Sequence, residues 1–313
     1  MRVLVAEYAV GGGDKGKSAS LLREGKAMLT TLRDSFERLG NEVVYPMAET
    51  DFESAVDKLS KKSDAGIVIA PDEKLYELTK ILESNTANLG CPPECVKICA
   101  DKMQTTKILD NSGIPVPRIV PEEEMRDGRA QKAVYVKKPR YGCASENVFI
   151  LNGKQSQNDA SFVDNQGYIL TEFIKGEDVS SSVVAGGLSV LPLTINKQFV
   201  VMRGKRLIYE GGSVPYSVGR EAEKAILGIS KRAVTMLHCK GYAGIDFVLG
   251  DDGTPYVVDV NPRPTTSIVG TAKVLNYELA DLILRAKFGT LPREEELKTE
   301  GCFTLKLSQE NRK

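Results

Sequence analysis

The chain has 313 residues, enough for two or three domains, and its hydrophobic content of 42% and charged content of 27% are those of an ordinary globular protein. Lysine and arginine together number 42, as do aspartate and glutamate, so no net charge favours a nucleic acid or an anionic membrane as a partner. No run approaches the ~20 apolar residues of a membrane span, and the first apolar stretch is too short for a signal peptide, so we expect a cytoplasmic protein.

Residues 1–100 alternate apolar strand patterns with amphipathic helix patterns, which predicts a parallel sheet covered by helices on both faces. The first predicted strand is RVLVAEYAV (2–10), and a triple glycine (11–13) separates it from a helix over 20–40. EVVYPM and GIVIAPD are the next two predicted strands. We expect this N-terminal α/β domain to end near residue 100.

The stretch GGGDKGKS (11–18) matches the phosphate-binding P-loop pattern GxxxxGK[ST], and it follows a strand and precedes a helix. In a P-loop, backbone N–H groups and a lysine, here Lys17, would hold the phosphates. Such an enzyme also needs an aspartate for magnesium after an apolar strand, and GIVIAPD offers only Asp72, behind Pro71. A P-loop ATPase or kinase is therefore an alternative interpretation.

Three cysteines, Cys91, Cys95 and Cys99, are spaced four residues apart in CPPECVKIC, which could place them on one face of a helix. A metal site would need a fourth ligand, and the two prolines limit the helix before Cys95. The sequence therefore favours small, partly buried thiols without a metal. His238 is the single histidine, and its place in a predicted helix indicates packing rather than chemistry.

The middle of the chain, residues 101–175, predicts a linker helix followed by a small lid subdomain. A helix pattern (100–113) precedes the extended IPVPR, and AVYVKKPRYGCASENVFIL (133–151) predicts a strand, a glycine-containing loop and a second strand. Residues 176–313 predict a C-terminal unit of antiparallel strands with a few helices.

Two short motifs of this middle segment carry polar groups that could contact a nucleotide. Lys138 shares a strand face with Val134 and Val136, and a lysine among apolar neighbours needs an anionic partner. Gly142 in the following loop would let backbone amides approach a phosphate. In TEFIKGED, Asp178 could accept hydrogen bonds from two ribose hydroxyls. Exposed lysines beside a turn and a plain hairpin are the simpler alternatives.

The stretch GIDFVLGDDGTPYVVDVNPRP (244–264) predicts a hairpin, because Asp252-Gly253 between apolar alternating runs is the signature of a two-residue type I′ turn. A turn centred on this pair would place Phe247 opposite Val258, on an apolar face that belongs to a core.

On the other face of the same hairpin, Asp246 would lie opposite Asp259, beside Asn261. Two like charges directly opposite each other are destabilising, and a bound cation removes this penalty. Carboxylate and amide oxygens suit Mg²⁺, so the pattern predicts that these three residues hold the ion. The alternative is a solvated polar face with a longer turn, which Pro255 favours.

Four pieces in this order resemble the ATP-grasp superfamily of carboxylate–amine ligases: DKMQTTKILDNSGIPVP, VKKPRYGCAS, TEFIKGED and GIDF…DGTPYVVDVNP. The resemblance runs from about residue 100 to 265. It implies a combined α/β and α+β fold, in which an N-terminal parallel domain precedes a small lid subdomain and a C-terminal antiparallel-sheet subdomain.

The resemblance also implies an ATP site. The phosphates would be contacted by Lys102, Lys138 and the lid loop with Gly142 and Ser145. The adenine and ribose would be bound by Glu172, Phe173, Ile174 and Asp178, with Phe173 in the hinge and backbone groups of its two neighbours on the adenine edge.

The resemblance implies that one or two Mg²⁺ or Mn²⁺ ions bind together with ATP. Their ligands would be Asp246, Asp259 and Asn261. The usual second ligand is glutamate, and this chain has the shorter Asp259. Many members also carry an arginine two residues before the first aspartate, where this chain has a glycine. Arg263 and Lys197 are the candidate catalytic cations that would replace it.

A closer resemblance is to the archaeal tyramine–L-glutamate ligases of methanofuran biosynthesis, carried by Glu7-Tyr8 with the triple glycine, REGKAM, INKQ, YEGGSVP and DVNPRPTTS. It implies that an acylphosphate of the glutamate γ-carboxyl group reacts with tyramine, with ADP and phosphate as the other products. The substrate residues would be Glu7, Gly12, Gly13, Asn196 and Arg263.

Three alternatives to this substrate pair stay open from the sequence: an ATP-grasp ligase of another acid and amine, the P-loop enzyme, and an ATP-sensing module without turnover. The expected partners are small molecules, with no nucleic acid and no membrane, and the resemblance allows a homodimer.

Overall fold

The computed structural model describes residues 1–13, 19–121, 124, 133–142, 147–152 and 167–307. These residues form one parallel and one antiparallel sheet with helices packed against them, so the expected combination of α/β and α+β architecture is confirmed. Among the helices of these residues, none combines the length and the apolar character that a membrane span requires.

A parallel sheet occupies the N-terminal end of the chain, and its described strands follow the order β2-β1-β3-β4. The strands are β1 (Arg2–Glu7), β2 (Glu42–Val44), β3 (Ala65–Ile69) and β4 (Ala87–Asn88). β1 and β3 are buried almost throughout, because helices cover both faces of the sheet. The predicted alternation of strands and helices is therefore confirmed.

Three helices cover this sheet: α1 (Ala19–Arg38), α2 (Phe52–Ser60) and α3 (Asp72–Asn85). α1 packs its apolar stripe on one face, and α2 and α3 pack on the other face. Two further helices follow, α4 (Pro93–Ala100) and α5 (Lys102–Asn111). Proline is tolerated in the first turn of a helix, which is why α4 begins at Pro93.

The second sheet is antiparallel at every pair of its described strands, in the order β12-β11-β8-β9-β10-β6-β5-β7, with β13 paired to β10. Its strands are β5 (Val134–Pro139), β6 (Phe149–Asn152), β7 (Tyr168–Glu172), β8 (Gly176–Gly186), β9 (Ser189–Arg203), β10 (Arg206–Val214), β11 (Gly241–Gly250), β12 (Pro255–Asn261) and β13 (Phe303–Lys306). The strands of the predicted lid, β5 to β7, join the others through the β6–β10 pair.

The helices that pack on the second sheet or beside it are α6 (Arg220–Met236), α7 (Ile268–Val274) and α8 (Leu279–Phe288), and a short 3₁₀ helix follows at Glu294–Glu296. α8 is tied to α1 because the Arg38 guanidinium donates to the Glu278 carboxylate at 2.8 Å, and Ser35 donates to the same carboxylate at 2.7 Å.

α6 ends in a left-handed turn, and the prediction that His238 packs inside a helix is wrong. His238 has φ +55° and is exposed. Its N–H donates to the Thr235 carbonyl at 3.1 Å, and the Cys239 N–H donates to the Val234 carbonyl at 3.0 Å. This pair of bonds is the Schellman motif, which turns the chain so that Cys239 points into the core.

The two sheets share a continuous apolar core. Leu4 and Leu82 of the N-terminal part belong to the same buried cluster as Val179, Ile245 and Val260 of the antiparallel sheet. Because this core crosses the positions at which domain ends were predicted, near residues 100 and 175, those boundaries stay predictions.

We predict that the junction between the two sheets is sensitive at Gly241, the first residue of β11. Gly241 has φ +61°, and an added Cβ would lie 2.1 Å from the Leu89 carbonyl oxygen. Gly204 has the same φ of +61° with nothing within 4 Å, so it is a matched control. Gly204→Ala pays only the left-handed backbone strain, about 1–2 kcal/mol. Gly241→Ala should lower the free energy of unfolding by about 1–3 kcal/mol more.

Urea unfolding of both variants measures this difference. Equal losses would show that Leu89 does not constrain the start of β11.

Candidate active site

The hairpin of β11 and β12 places Asp246 directly opposite Asp259, as predicted. The predicted two-residue turn is wrong, because residues 251–254 connect the strands. The Asp252 carboxylate accepts a hydrogen bond from the Thr254 N–H at 2.9 Å and stabilises this longer turn.

A β-bulge interrupts the hairpin one residue beyond the carboxylate pair. Phe247 lies opposite Val257, not opposite Val258 as predicted, so Val258 is an extra residue without a partner in the register. Its carbonyl oxygen accepts a hydrogen bond from the Lys138 Nζ at 2.6 Å. The bulge therefore provides the contact between β12 and the lysine of β5.

The carboxylate pair is held by polar donors. Asp246 accepts from Gln198 Nε2 at 2.8 Å and from Asn261 Nδ2 at 3.1 Å. Burial, together with the charge of Asp259, raises the pKa of Asp246 to about 7. Lys102 Nζ lies 3.1 Å from Asp259 Oδ2. A bound cation would relieve the remaining repulsion, and the oxygens of Asp246, Asp259 and Asn261 are a donor set that fits Mg²⁺ or Mn²⁺.

The two predicted phosphate lysines lie beside these carboxylates. Lys102 also lies 3.6 Å from Asp72 Oδ2, and burial raises the pKa of Asp72. Lys138 is 9% exposed, and burial lowers its pKa to about 8. A buried ammonium next to a carbonyl oxygen favours an anionic ligand, which would restore its charge.

Asp101 fixes the start of α5 and therefore the position of Lys102. Its carboxylate accepts from the N–H groups of Met103 and Gln104, which caps the helix. The same carboxylate forms a two-bond pair with Arg140, at 2.8 and 2.6 Å. The Lys102 N–H donates to the Arg140 carbonyl at 3.0 Å. α5 and the end of β5 are thus joined immediately beside both lysines.

The predicted adenine segment follows β7. The Glu172 N–H donates to the Arg118 carbonyl at 3.0 Å, and the two side chains pair at 2.8 Å. Phe173 is 37% exposed, and Ile174 follows it in the connection to β8. Burial raises the pKa of Asp178, against the opposing effect of Lys197. Contacts of this segment with adenine and ribose stay a prediction.

The two candidate cations have different neighbours. Arg263 Nη2 lies 3.5 Å from Asn261 Oδ1, and its Nε is buried without a partner among the described residues. Lys197 Nζ lies 3.5 Å from Glu177 Oε1 and stacks over the Tyr216 ring at 5.4 Å. The structure therefore brings Arg263, rather than Lys197, against Asn261 of the predicted metal residues.

The predicted substrate residues at the N-terminus form a compact loop. Glu7 is 5% exposed, and its carboxylate accepts from the Val10 N–H at 2.7 Å. A Cβ at Gly25 of α1 would lie 2.5 Å from this carboxyl group, so the close approach of Glu7 requires glycine there. Gly12 has φ +92°, and Gly13 packs against Tyr8. Lys17 of the P-loop pattern and Ser145 of the lid lie outside the described residues.

Asn196, the remaining predicted substrate residue, is buried in β9. Its Nδ2 donates to the hydroxyls of Ser180 and Ser182, both at 3.2 Å. Its Oδ1 is buried and has no hydrogen-bond partner within the described part of the chain. This oxygen is therefore an acceptor available to a ligand.

Sequence reasoning missed four polar residues around the carboxylate pair: Glu24, Gln198, Tyr209 and Thr266. Thr266 Oγ1 donates to Glu24 Oε2 at 2.9 Å, which joins α1 to the segment after β12. Burial, with the charges of Glu24 and Asp246, raises the pKa of Tyr209. Gln198 was detectable, because it lies two residues after Asn196 in INKQ and so on the same strand face.

A cavity of about 550 Å³ lies between α5, residues 116–121 and β7. Its lining contains none of the predicted site residues. A second cavity, of about 20 Å³, is lined by Asn196, Gln198 and Tyr209. It lies beside the carboxylate pair, because Gln198 also donates to Asp246.

Comparisons with known proteins identify the family of the chain. A family model described as an ATP-grasp domain matches residues 99–267. A tyramine–L-glutamate ligase of Methanocaldococcus jannaschii is 28% identical over 90% of this chain and 88% of its own. The crystal structure of a putative ATP-grasp superfamily protein from Archaeoglobus fulgidus has a TM-score of 0.73 at 27% identity, over 92% of this chain and 89% of that chain.

The D-alanine–D-alanine ligase of Bacillus anthracis shares the fold, with a TM-score of 0.69 at 21% identity over 92% of this chain and 97% of that chain. The family model covers more than half of the chain, and the predicted family is therefore confirmed. The chain belongs to the ATP-grasp family, as an ATP-dependent carboxylate–amine ligase.

Proposed function

We propose that the protein joins the γ-carboxyl group of L-glutamate to the amine of tyramine, with ATP as the driving reactant. The observation that carries the ligase chemistry is the cluster of Asp246, Asp259 and Asn261 beside the buried Lys102 and Lys138. The named substrates are supported by the tyramine–L-glutamate ligase that is 28% identical to this chain.

The reaction has two steps. The glutamate γ-carboxylate attacks the γ-phosphorus of ATP, so the carboxyl oxygen gains the phosphoryl group and ADP leaves. The amine of tyramine then attacks the acyl carbon, the C–O bond to phosphate breaks, and the nitrogen loses a proton. The products are γ-glutamyltyramine, ADP and phosphate.

The chain's own residues contribute charge and position. Lys102 and Lys138 would bind phosphate oxygens and stabilise the charge that develops during transfer. Asp246, Asp259 and Asn261 would hold one or two Mg²⁺ or Mn²⁺ ions, which neutralise phosphate oxygens. Arg263, whose Nε lacks a partner among the described residues, would bind a substrate carboxylate or the transferred phosphoryl group.

The polar groups near the metal residues suit an amino-acid substrate. The Asn196 Oδ1 is a buried acceptor without a partner in the described chain, so it would accept from the α-ammonium group. Thr266 lines the same small cavity as Asn196 and donates a hydrogen bond to Glu24, so these two residues offer further polar contacts. The loop of Glu7, Gly12 and Gly13 would border this substrate pocket. We also propose a cytoplasmic location, in keeping with the expectation from the sequence.

The deciding experiment measures phosphate release from Mg-ATP with L-glutamate, with and without tyramine, and identifies the product by mass spectrometry. We expect phosphate release that depends on tyramine, with γ-glutamyltyramine and ADP in equal amounts. Turnover with another acid or amine would keep the ligase and overturn the substrate pair. ATP binding without turnover on any pair would favour a sensor.

We predict that Lys138, and not Lys17, binds the ATP phosphates. Lys138→Met should weaken ATP binding at least about tenfold, because a charge-assisted hydrogen bond is lost from a buried position. Lys17→Met tests the P-loop pattern and should leave the affinity unchanged. Calorimetric titration with a non-hydrolysable ATP analogue measures both. The opposite ranking would support the P-loop interpretation.

We also predict that the hairpin carboxylates bind the divalent ion. Asp259→Asn should lower the Mn²⁺ affinity of the nucleotide complex at least about tenfold, because a charged oxygen ligand is lost. Asp252→Asn is the matched control: it changes an exposed aspartate in the turn of the same hairpin. Electron paramagnetic resonance of free Mn²⁺ measures both affinities. Unchanged binding by Asp259→Asn would place the ion elsewhere.

A further inference from the structure

Four cysteines meet in the core between the N-terminal part and the antiparallel sheet. Cys91, Cys95, Cys99 and Cys239 are each 1–2% exposed. The Sγ atoms of Cys95 and Cys239 are 3.4 Å apart, and those of Cys95 and Cys99 are 4.0 Å apart. The Sγ atoms of Cys91, Cys95 and Cys239 all lie within 4.8 Å of one another.

Local structure places each thiol. α4 begins at Pro93, so Cys95 and Cys99 lie one turn apart on the same helix face, and Cys91 lies just before the helix. Cys239 arrives from the other half of the chain, turned inward by the Schellman motif after α6. The fourth ligand that CPPECVKIC lacks is therefore supplied across 140 residues of sequence, between Cys99 and Cys239.

The sulfur atoms of Cys91, Cys95 and Cys239 lie close enough together for a single ion. Cys99 is close to Cys95 but outside this group of three, and its side chain would turn toward the ion to become the fourth ligand. In a tetrahedral Zn²⁺ site with Zn–S bonds of about 2.3 Å, neighbouring sulfurs are ~3.8 Å apart. The distances of 3.4 and 4.0 Å lie on either side of this value. A disulfide needs sulfurs about 2.0 Å apart and would use only two of the four thiols.

We propose that Cys91, Cys95, Cys99 and Cys239 bind one Zn²⁺ ion as a closed tetrathiolate site. Each thiol loses its proton to solvent, so four S–H bonds break and four Zn–S bonds form, without any change of oxidation state. Cys91 donates its S–H to the Lys240 carbonyl at 2.9 Å, and on binding this thiolate turns from the carbonyl to the ion. No position stays open for a substrate, so the role of the ion is structural.

The site would join two parts of the active site. Cys99 lies three residues before Lys102, and Cys239 lies two residues before β11, which carries Asp246. α4 also contacts β12 directly. An ion held between these segments would fix the phosphate lysine relative to the carboxylate pair.

The test measures metal content in the full chain purified with reduced thiols under anaerobic conditions. We expect about one zinc per chain by plasma mass spectrometry. Replacement of zinc by Co²⁺ should give a thiolate-to-cobalt charge-transfer band in the near ultraviolet. It should also give the visible absorption bands of tetrahedral cobalt. Alkylation should modify the four thiols only after a chelator has removed the metal.

Variants locate the ion. Cys239→Ser and Cys99→Ser should each lose stoichiometric zinc, whereas Cys302→Ser, which alters an exposed cysteine outside the cluster, should keep it. If Cys239→Ser does not fold, the cobalt spectrum and alkylation of the wild-type chain still decide the question.

Three results would overturn the proposal. The first is reduced wild-type protein without stoichiometric zinc and without cobalt bands. The second is iron with inorganic sulfide in stoichiometric amounts, which would identify a cluster instead of a single ion. The third is a Cys95–Cys239 disulfide in the wild-type protein as purified, found by peptide mass mapping without any prior removal of metal. None of these results bears on the ligase reaction, which the phosphate-release assay tests separately.

Discussion

The site depends on one unfavourable contact, the direct opposition of Asp246 and Asp259 across two paired strands. Like charges at this position destabilise a sheet, and burial makes the charge on Asp246 still less favourable. The fold tolerates the pair because β11 is paired on both sides, to β8 and to β12, which holds its register. Gln198 and Lys102 offset part of the repulsion. A divalent ion bound between the two carboxylates would relieve the remaining repulsion.

The second requirement is to bring cations from other parts of the chain to this pair. Lys138 comes from β5 and reaches β12 through the carbonyl of Val258, the extra residue of the bulge. Lys102 comes from α5, whose first turn is fixed by the cap from Asp101. Because Asp101 also pairs with Arg140 at the end of β5, the two lysines are positioned by one shared carboxylate.

The sequence predicts the parts of the site that follow from local periodicity. The pleat has a period of two residues, so Asp246 opposite Asp259 follows from the alternation of the two strands. The longer turn was only the alternative interpretation of the sequence, and the bulge was missed, because no local pattern marks the residue that contacts the distant Lys138. The same limit applies to Cys239, Glu24 and the pairing of Lys102 with Asp72, which only tertiary packing brings together. The prediction that Lys102 contacts phosphate came from the family resemblance, because no local pattern indicates it.

Two kinds of contact therefore fix the chain at the start of α5: thiol packing at Cys99 and hydrogen bonds to the carboxylate of Asp101. On one side Cys99 belongs to the buried thiol cluster that joins α4 to the segment entering β11. On the other side Asp101 caps α5 and clamps Arg140. A helix end that is fixed by its own cap, and whose preceding helix packs through buried thiols against the segment entering β11, has little freedom to rotate. This explains how a lysine with a long flexible side chain can still present its ammonium group to a carboxylate pair on another sheet: the backbone beneath it is the part that is held.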